Sequence, residues 1–299
     1  MFNRVIVPLD GSPLAEAALP TAVQLAVKLS YCVCPSTKTC WSRPLVADMP
    51  LLLASVADEQ IAEAEEYLHE MAQRWAWPNV FIRTHVEMGV PAQIVTATAT
   101  AEKADLIVMS THGRTGLTRW FMGSVTEQVL HHAPCPVLAV RRNQPLANIL
   151  LLLDGSALSE RAITAAADIA RITEGQLTLL RVQPPVNSIE EEELALHMRL
   201  EYGMGKSAEE ALLVCVEEYL DTVGHSETFA NLPLQIVSRI GEPAEEILNY
   251  SRESHTDLIV MSTHGRTGLA KWVYGSVAEQ VLRGTDTAVL IVRPEEMRP

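Results

Sequence analysis

The chain has 299 residues, 48% of them hydrophobic, which suits two domain-sized cores better than one. Its formal net charge of −14 is uneven: residues 1–144 carry 11 Lys and Arg against 13 Asp and Glu, net −2, and the remainder carries 12 against 24, net −12. Such a surface repels phosphate backbones, and no apolar run reaches the roughly 20 residues of a membrane-spanning helix, so neither nucleic acid nor a membrane is an expected partner.

The opening MFNRVIVPLDGS holds only a short apolar run before Asp10, too short for a signal peptide, so a cytoplasmic protein is expected. Val5-Ile6-Val7 reads as a strand ending at Asp10-Gly11. Ser12 is placed to cap the next helix, and Pro13 suits its first turn. Leu14, Ala18, Ala22, Leu25 and Leu29 mark one helical face. Pro20 falls inside that helix and is expected to kink it, because an interior proline costs roughly 3 kcal/mol.

Residues 31–44 break the pattern where a second strand is due. Tyr31–Pro44 contains two prolines, many polar residues and Cys32, Cys34 and Cys40. A buried central strand does not accept such a segment. Three readings stay open: a surface loop, a translated frameshift compensated near residue 45, and a metal site on the three cysteines, which lacks a second ligand pair. Cys135 and Cys215 read as small core residues, and no disulfide framework is present, as in a reducing compartment.

A helix is expected over Ile61–Trp75, a strand over Val80–Val86, and a helix after Pro91. Leu106–Met109 is wholly apolar, as a strand buried on both faces should be. A helix from Ser124, ending at His131-His132, and a last strand Val137–Val140 complete the unit.

The whole pattern then returns. DLIVMSTHGRTGL occupies Asp105–Leu117 and again Asp257–Leu269. Gly123-Ser124-Val125 returns as Gly275-Ser276-Val277, Glu127-Gln128-Val129-Leu130 as Glu279-Gln280-Val281-Leu282, and Gly89-x-Pro91-Ala92 as Gly241-x-Pro243-Ala244. These pairs share an offset of 152, whereas Asp10-Gly11-Ser12 and Asp154-Gly155-Ser156 differ by 144, so the second copy holds eight extra residues in between. A period near 150 is domain-sized. In the second copy Thr164 stands where Pro20 was, Leu177–Val182 is an intact second strand, Glu190–Glu193 reads as a solvated helix start, and Ala288–Val292 is the last strand. The fold class is therefore α/β: two tandem doubly wound, Rossmann-like parallel-sheet domains of five strands each, over residues 1–144 and 145–299. They are expected to pack as an internal pseudo-dimer through their last strands.

The repeated stretch lies at a strand-to-helix exit. Ser110-Thr111-His112-Gly113 follows an apolar strand, and Gly123-Ser124 opens the next helix nine residues later. Free N–H groups at a helix start, the helix dipole and small residues together favour phosphate. Ser124 could cap the helix or donate to phosphate. Arg114 and Arg119 add positive charge, as do Arg266 and Lys271 in the second copy.

The order of these elements resembles the universal stress protein family over nearly the whole chain, twice. Ser110-Thr111-His112-Gly113, nine residues, Gly123-Ser124, and Ser262-Thr263-His264-Gly265, nine residues, Gly275-Ser276, are similar to the phosphate motif of its nucleotide-binding members. The Asp-Gly-Ser after the first strand and Pro136-Val137-Leu138 also look like that family. One departure is that serine, Ser110 and Ser262, replaces the motif's first glycine; a position needing positive φ would strain it. The resemblance implies an adenine-nucleotide site in each copy. In the second it comprises Asp154 and Val182 at the base, with Ser262, Gly265, Arg266, Gly275, Ser276 and Val277 at the phosphates. In the first it comprises Asp10, Ser110, Gly113, Arg114, Gly123, Ser124 and Val125. The implied ligand is ATP, with or without Mg2+. Asp10 could instead merely close a turn with Gly11.

His112 and His264 lie in the loops, yet no nucleophile, carboxylate pair or metal-ligand set accompanies them, so no catalytic residue is assigned. A stress-response or signalling module that binds adenine nucleotide is the leading expectation. A weak ATP hydrolase or adenylyl-transfer enzyme and a nucleotide-free scaffold are the alternatives. Further homo-oligomerisation and the signalling partner are not readable from the residues.

Overall fold

The structure, a computed structural model, describes residues 2–27, 32–36, 50–78, 80–111, 123–185, 208–263 and 275–293. Contacts divide the chain into two units: Met1–Pro145 joined by Asp286–Ile291, and Leu146–Thr285 with Val292–Pro294.

In the first unit, β1 (Arg4–Pro8) leads through α1 (Pro13–Glu16) and α2 (Leu19–Val27) to β2 (Cys32–Ser36). Then follow α3 (Pro50–Arg74), α4 (Pro91–Ala101), β3 (Leu106–Ser110), α5 (Ser124–His132) and β4 (Val137–Val140). The strand order is β2-β1-β3-β4, followed by β9 (Ala288–Val292). β1, β2, β3 and β4 run parallel, and β9 runs antiparallel to β4 with Val137 opposite Ile291 and Ala139 opposite Val289. The expected pairing of the two last strands is thus present. Every residue of β3, β4 and β9 is buried, which explains why they read as unbroken apolar runs.

In the second unit, β5 (Asn148–Leu152), α6 (Ala157–Glu160), α7 (Ala162–Thr173) and β6 (Gln176–Gln183) come first. They are followed by α8 (Ala208–Gly224), β7 (Leu234–Ile240), α9 (Pro243–Glu253), β8 (Leu258–Ser262) and α10 (Ser276–Gly284). The parallel order is β8-β5-β6-β7. Leu150, Leu151, Leu177 and Leu179 at its centre are fully buried, each contributing about 1.5–3 kcal/mol from burial.

The first residue of the repeated stretch acts at the end of the sheet remote from the motif's loop. Asp105 Oδ2 accepts from the backbone N–H of Asn3 and Arg4 at 2.7 and 3.0 Å. Asp257 Oδ2 does the same for Ala147 and Asn148 at 3.1 and 2.9 Å. Each aspartate ties down the start of its unit's first strand.

Four expectations need correction. Residues 32–36 do form a strand, in parallel register with β1 from Arg4–Cys32 to Pro8–Ser36. It is the outermost described strand of its unit, and an edge accepts the missing N–H of Pro35. The remainder of 31–44, with Cys40 and the three readings attached to it, lies outside the described residues. Val80–Val86 is no strand, only isolated bridges at Ile82 and His85. β6 offers β7 seven paired residues, whereas β2 is a five-residue strand containing proline, and Phe81 stays 74% exposed. Pro20 does not kink a continuous helix. Both copies break after four residues, α1 before α2 and α6 before α7, so Pro20 falls in the first turn of α2, where no donor is needed. Cys215 is exposed, because α8 turns Val216 and Leu220 inward instead; Cys135 is buried as expected.

Candidate functional site

β1 pairs with β2 on one side and β3 on the other, with Val5 opposite Leu106. β5 pairs likewise with β6 and β8, with Ile149 opposite Leu258. Strand order reverses at β1/β3 and at β5/β8, and an open α/β sheet binds ligands at the carboxyl ends of such strands. Asp10 and Asp154 lie just past β1 and β5. Ser110 and Ser262 end β3 and β8, and Gly123 and Gly275 open α5 and α10. Gly113, Arg114, Gly265 and Arg266, with His112 and His264, lie outside the described residues.

The two serines carry no backbone strain. Neither is among the four described non-glycine residues with positive φ, which are Lys103, Glu174, Asn231 and His255. Each is an ordinary strand terminus, so a small side chain suffices there. In the first unit the Ser110 carbonyl accepts from Thr126 Oγ1 at 3.1 Å, which ties β3 to α5.

The helix starts differ from expectation in one respect. Gly123 and Gly275 hold the N-cap positions, with no side-chain cap, and Ser124 and Ser276 are exposed first-turn residues. Elsewhere serines do cap: Ser12 Oγ accepts from Ala15 N and Ser156 Oγ from Ser159 N, both at 3.1 Å. The site helices thus keep their first N–H groups clear of such caps, as an anion site requires. Gly123 is also tightly placed. Its N–H donates to the Thr111 carbonyl at 2.9 Å, and an added Cβ would stand 3.2 Å from that oxygen. Val125 and Val277 follow on the same helices, half-buried.

The aspartates do close turns. Asp10 Oδ1 accepts from Ser12 N and Asp154 Oδ1 from Ser156 N, each at 2.9 Å. Gly11 and Gly155 between them adopt φ of +77° and +83°, which glycine takes without strain. Asp154 is exposed and Asp10 half-buried, so the turn role leaves carboxylate surface at the crevice. Val182 lies near the end of β6, half-buried, two residues beyond the Leu180 that pairs with Leu152.

Sequence reasoning missed a further pair beside each turn. Tyr67 of α3 donates to Glu16 of α1 at 3.1 Å, and Tyr219 of α8 donates to Glu160 of α6 at 3.0 Å. Their offsets, 152 for tyrosine and 144 for glutamate, are those of the duplication, and that was the available signal. Burial first, and the neighbouring glutamate next, push both phenols above the ordinary tyrosine range. Each phenol is therefore a neutral donor at physiological pH. The stability these groups contribute is complete below the ordinary tyrosine pKa of about 10 and is lost as pH rises through their higher folded values. Ultraviolet titration should show two of the tyrosines ionising late; normal ionisation of all six would contradict it. Among the described residues no cluster of His, Cys, Asp and Glu is arranged to hold a metal.

The chain is thus an α/β protein with a doubly wound sheet and an uncapped glycine-led helix start at each strand reversal. The universal stress protein family model matches residues 1–141 and 146–293. The chain belongs to the universal stress protein family, as a tandem member. Universal stress protein Rv2623 of Mycobacterium tuberculosis is 27% identical over 304 residues, covering 97% of this chain and 96% of that one. Universal stress protein MJ0531 of Methanocaldococcus jannaschii is 32% identical over 156 residues, 48% of this chain and 84% of its own. A universal stress protein structure from Archaeoglobus fulgidus covers 100% of both chains with TM-score 0.72 at 18% identity, a likeness of fold. No described helix is long and apolar enough to cross a membrane.

Proposed function

We propose that the chain is a stress-response or signalling module that binds ATP, acting in the cytoplasm without strong catalytic activity. The observation that carries this reading is the paired geometry at each strand reversal: an aspartate turn on one side and an uncapped Gly-Ser helix start on the other. Phosphates would lie on the N–H groups after Gly123 and Gly275, with the base toward Asp10 and Asp154 and, in the second unit, Val182. Gly113, Arg114, Gly265 and Arg266 complete the proposed phosphate side. Mg2+ is expected only through the phosphates, since no described protein cluster would hold it.

Mass spectrometry of the native protein, followed by calorimetry with ATP, tests the reading. Co-purifying or titratable adenine nucleotide is expected, with no turnover in a phosphate-release assay. Binding with rapid phosphate release would favour the hydrolase alternative. A folded protein that binds no adenine nucleotide would leave the scaffold.

A further inference from the structure

We infer that Arg181 is a positioning residue for a nucleobase, holding the Asp154-Gly155-Ser156 turn of the second unit in one geometry. This rests on the nucleotide reading above and concerns its base side alone. The turn is exposed, and its central glycine has a wide conformational choice to lose. Two contacts from β6 remove that choice. Leu153 N donates to the Leu180 carbonyl at 3.0 Å, which fixes the start of the turn. The next residue, Arg181, brings its guanidinium back over Gly155: a Cβ there would meet Nη1 at 2.8 Å and Cζ at 3.0 Å.

The guanidinium is itself held. Its Cζ lies 5.0 Å from the centre of the Tyr219 ring, and the Tyr219 hydroxyl is anchored on Glu160. A chain of contacts thus runs from α6 through α8 and β6 to the turn that presents Asp154. In sequence, the offset of 144 aligns Thr37, outside the described residues, with Arg181, and threonine has no planar cation to offer. In the first unit the tyrosine–glutamate pair is met instead by Arg74 of α3, 3.8 Å from Glu16 and largely exposed.

Calorimetry on full-length Arg181→Met, with ATP and separately with inorganic tripolyphosphate, tests this. Methionine keeps an unbranched stem and removes the planar cation. ATP affinity at the tighter site should fall about tenfold, while tripolyphosphate affinity stays within twofold. Arg181→Lys should not restore ATP binding, because a compact ammonium cannot stack as a guanidinium does. If Arg181→Met fails to fold, Arg181→Lys carries the same comparison. Equal losses for both ligands, or no loss for either, would overturn the inference. Failure of the nucleotide reading is distinct: the wild-type protein itself would bind no ATP.

Discussion

Gly275→Val is expected to weaken ATP binding about a hundredfold while leaving the fold intact. Gly275 is the N-cap of α10 with φ −52° and ψ 141°, a backbone conformation open to any L residue. The helix-opening bond from Glu279 N to the Gly275 carbonyl, 3.1 Å, involves no side chain and survives the change. Valine would place a branched side chain against the N–H groups proposed to hold the phosphates. Losing two charge-assisted bonds at about 1.5–3 kcal/mol each amounts to a hundredfold or more. Calorimetry with ATP, paired with a thermal melt, reads the two effects separately. Unchanged affinity in a folded variant would refute the phosphate site.

How much of this was legible in the sequence varies with the physics of each part. The duplication and its two offsets were fully visible, because they are identities of residues. β3, β4, β8 and β9 were visible because strands buried on both faces are unbroken apolar runs. β2 was not legible: its proline and cysteines argue against a central strand, and only its edge position makes Cys32–Ser36 acceptable. Pro20 misled because the helix break is set by both copies' common architecture, with or without proline. The capping role assigned to Ser124 failed by one residue, since the choice between Gly123 and Ser124 as N-cap depends on backbone angles that residue type leaves open. Tyr219, Glu160 and Arg181 come from three elements, and composition does not show that they meet. Only the paired offsets of Tyr67/Tyr219 and Glu16/Glu160 hinted at it.

The second unit is expected to be the tighter nucleotide site, by at least tenfold. Both units carry the glycine-led helix start, so the phosphate side does not distinguish them. The base side does. β6 runs eight residues to Gln183 and includes Val182, whereas β2 is described over five residues, Cys32–Ser36, and the residue that the sequence offset of 144 aligns with Val182 is the charged Lys38. Apolar area removed from water contributes about 25 cal/mol per Å², so about 60 Å² less base burial is already a tenfold loss. The net charge argues the other way, since the second half carries −12 of the −14. Screening over about 8 Å at physiological salt makes that remote charge secondary to Arg181 beside the turn. ATP titrated separately into Gly123→Val and Gly275→Val decides the matter: the tighter site should vanish with Gly275→Val alone. The Gly123 variant needs its own melt, because its Cβ would press on the Thr111 carbonyl at 3.2 Å. Loss of the tighter site in a folded Gly123→Val protein, with its retention in Gly275→Val, would reverse the assignment.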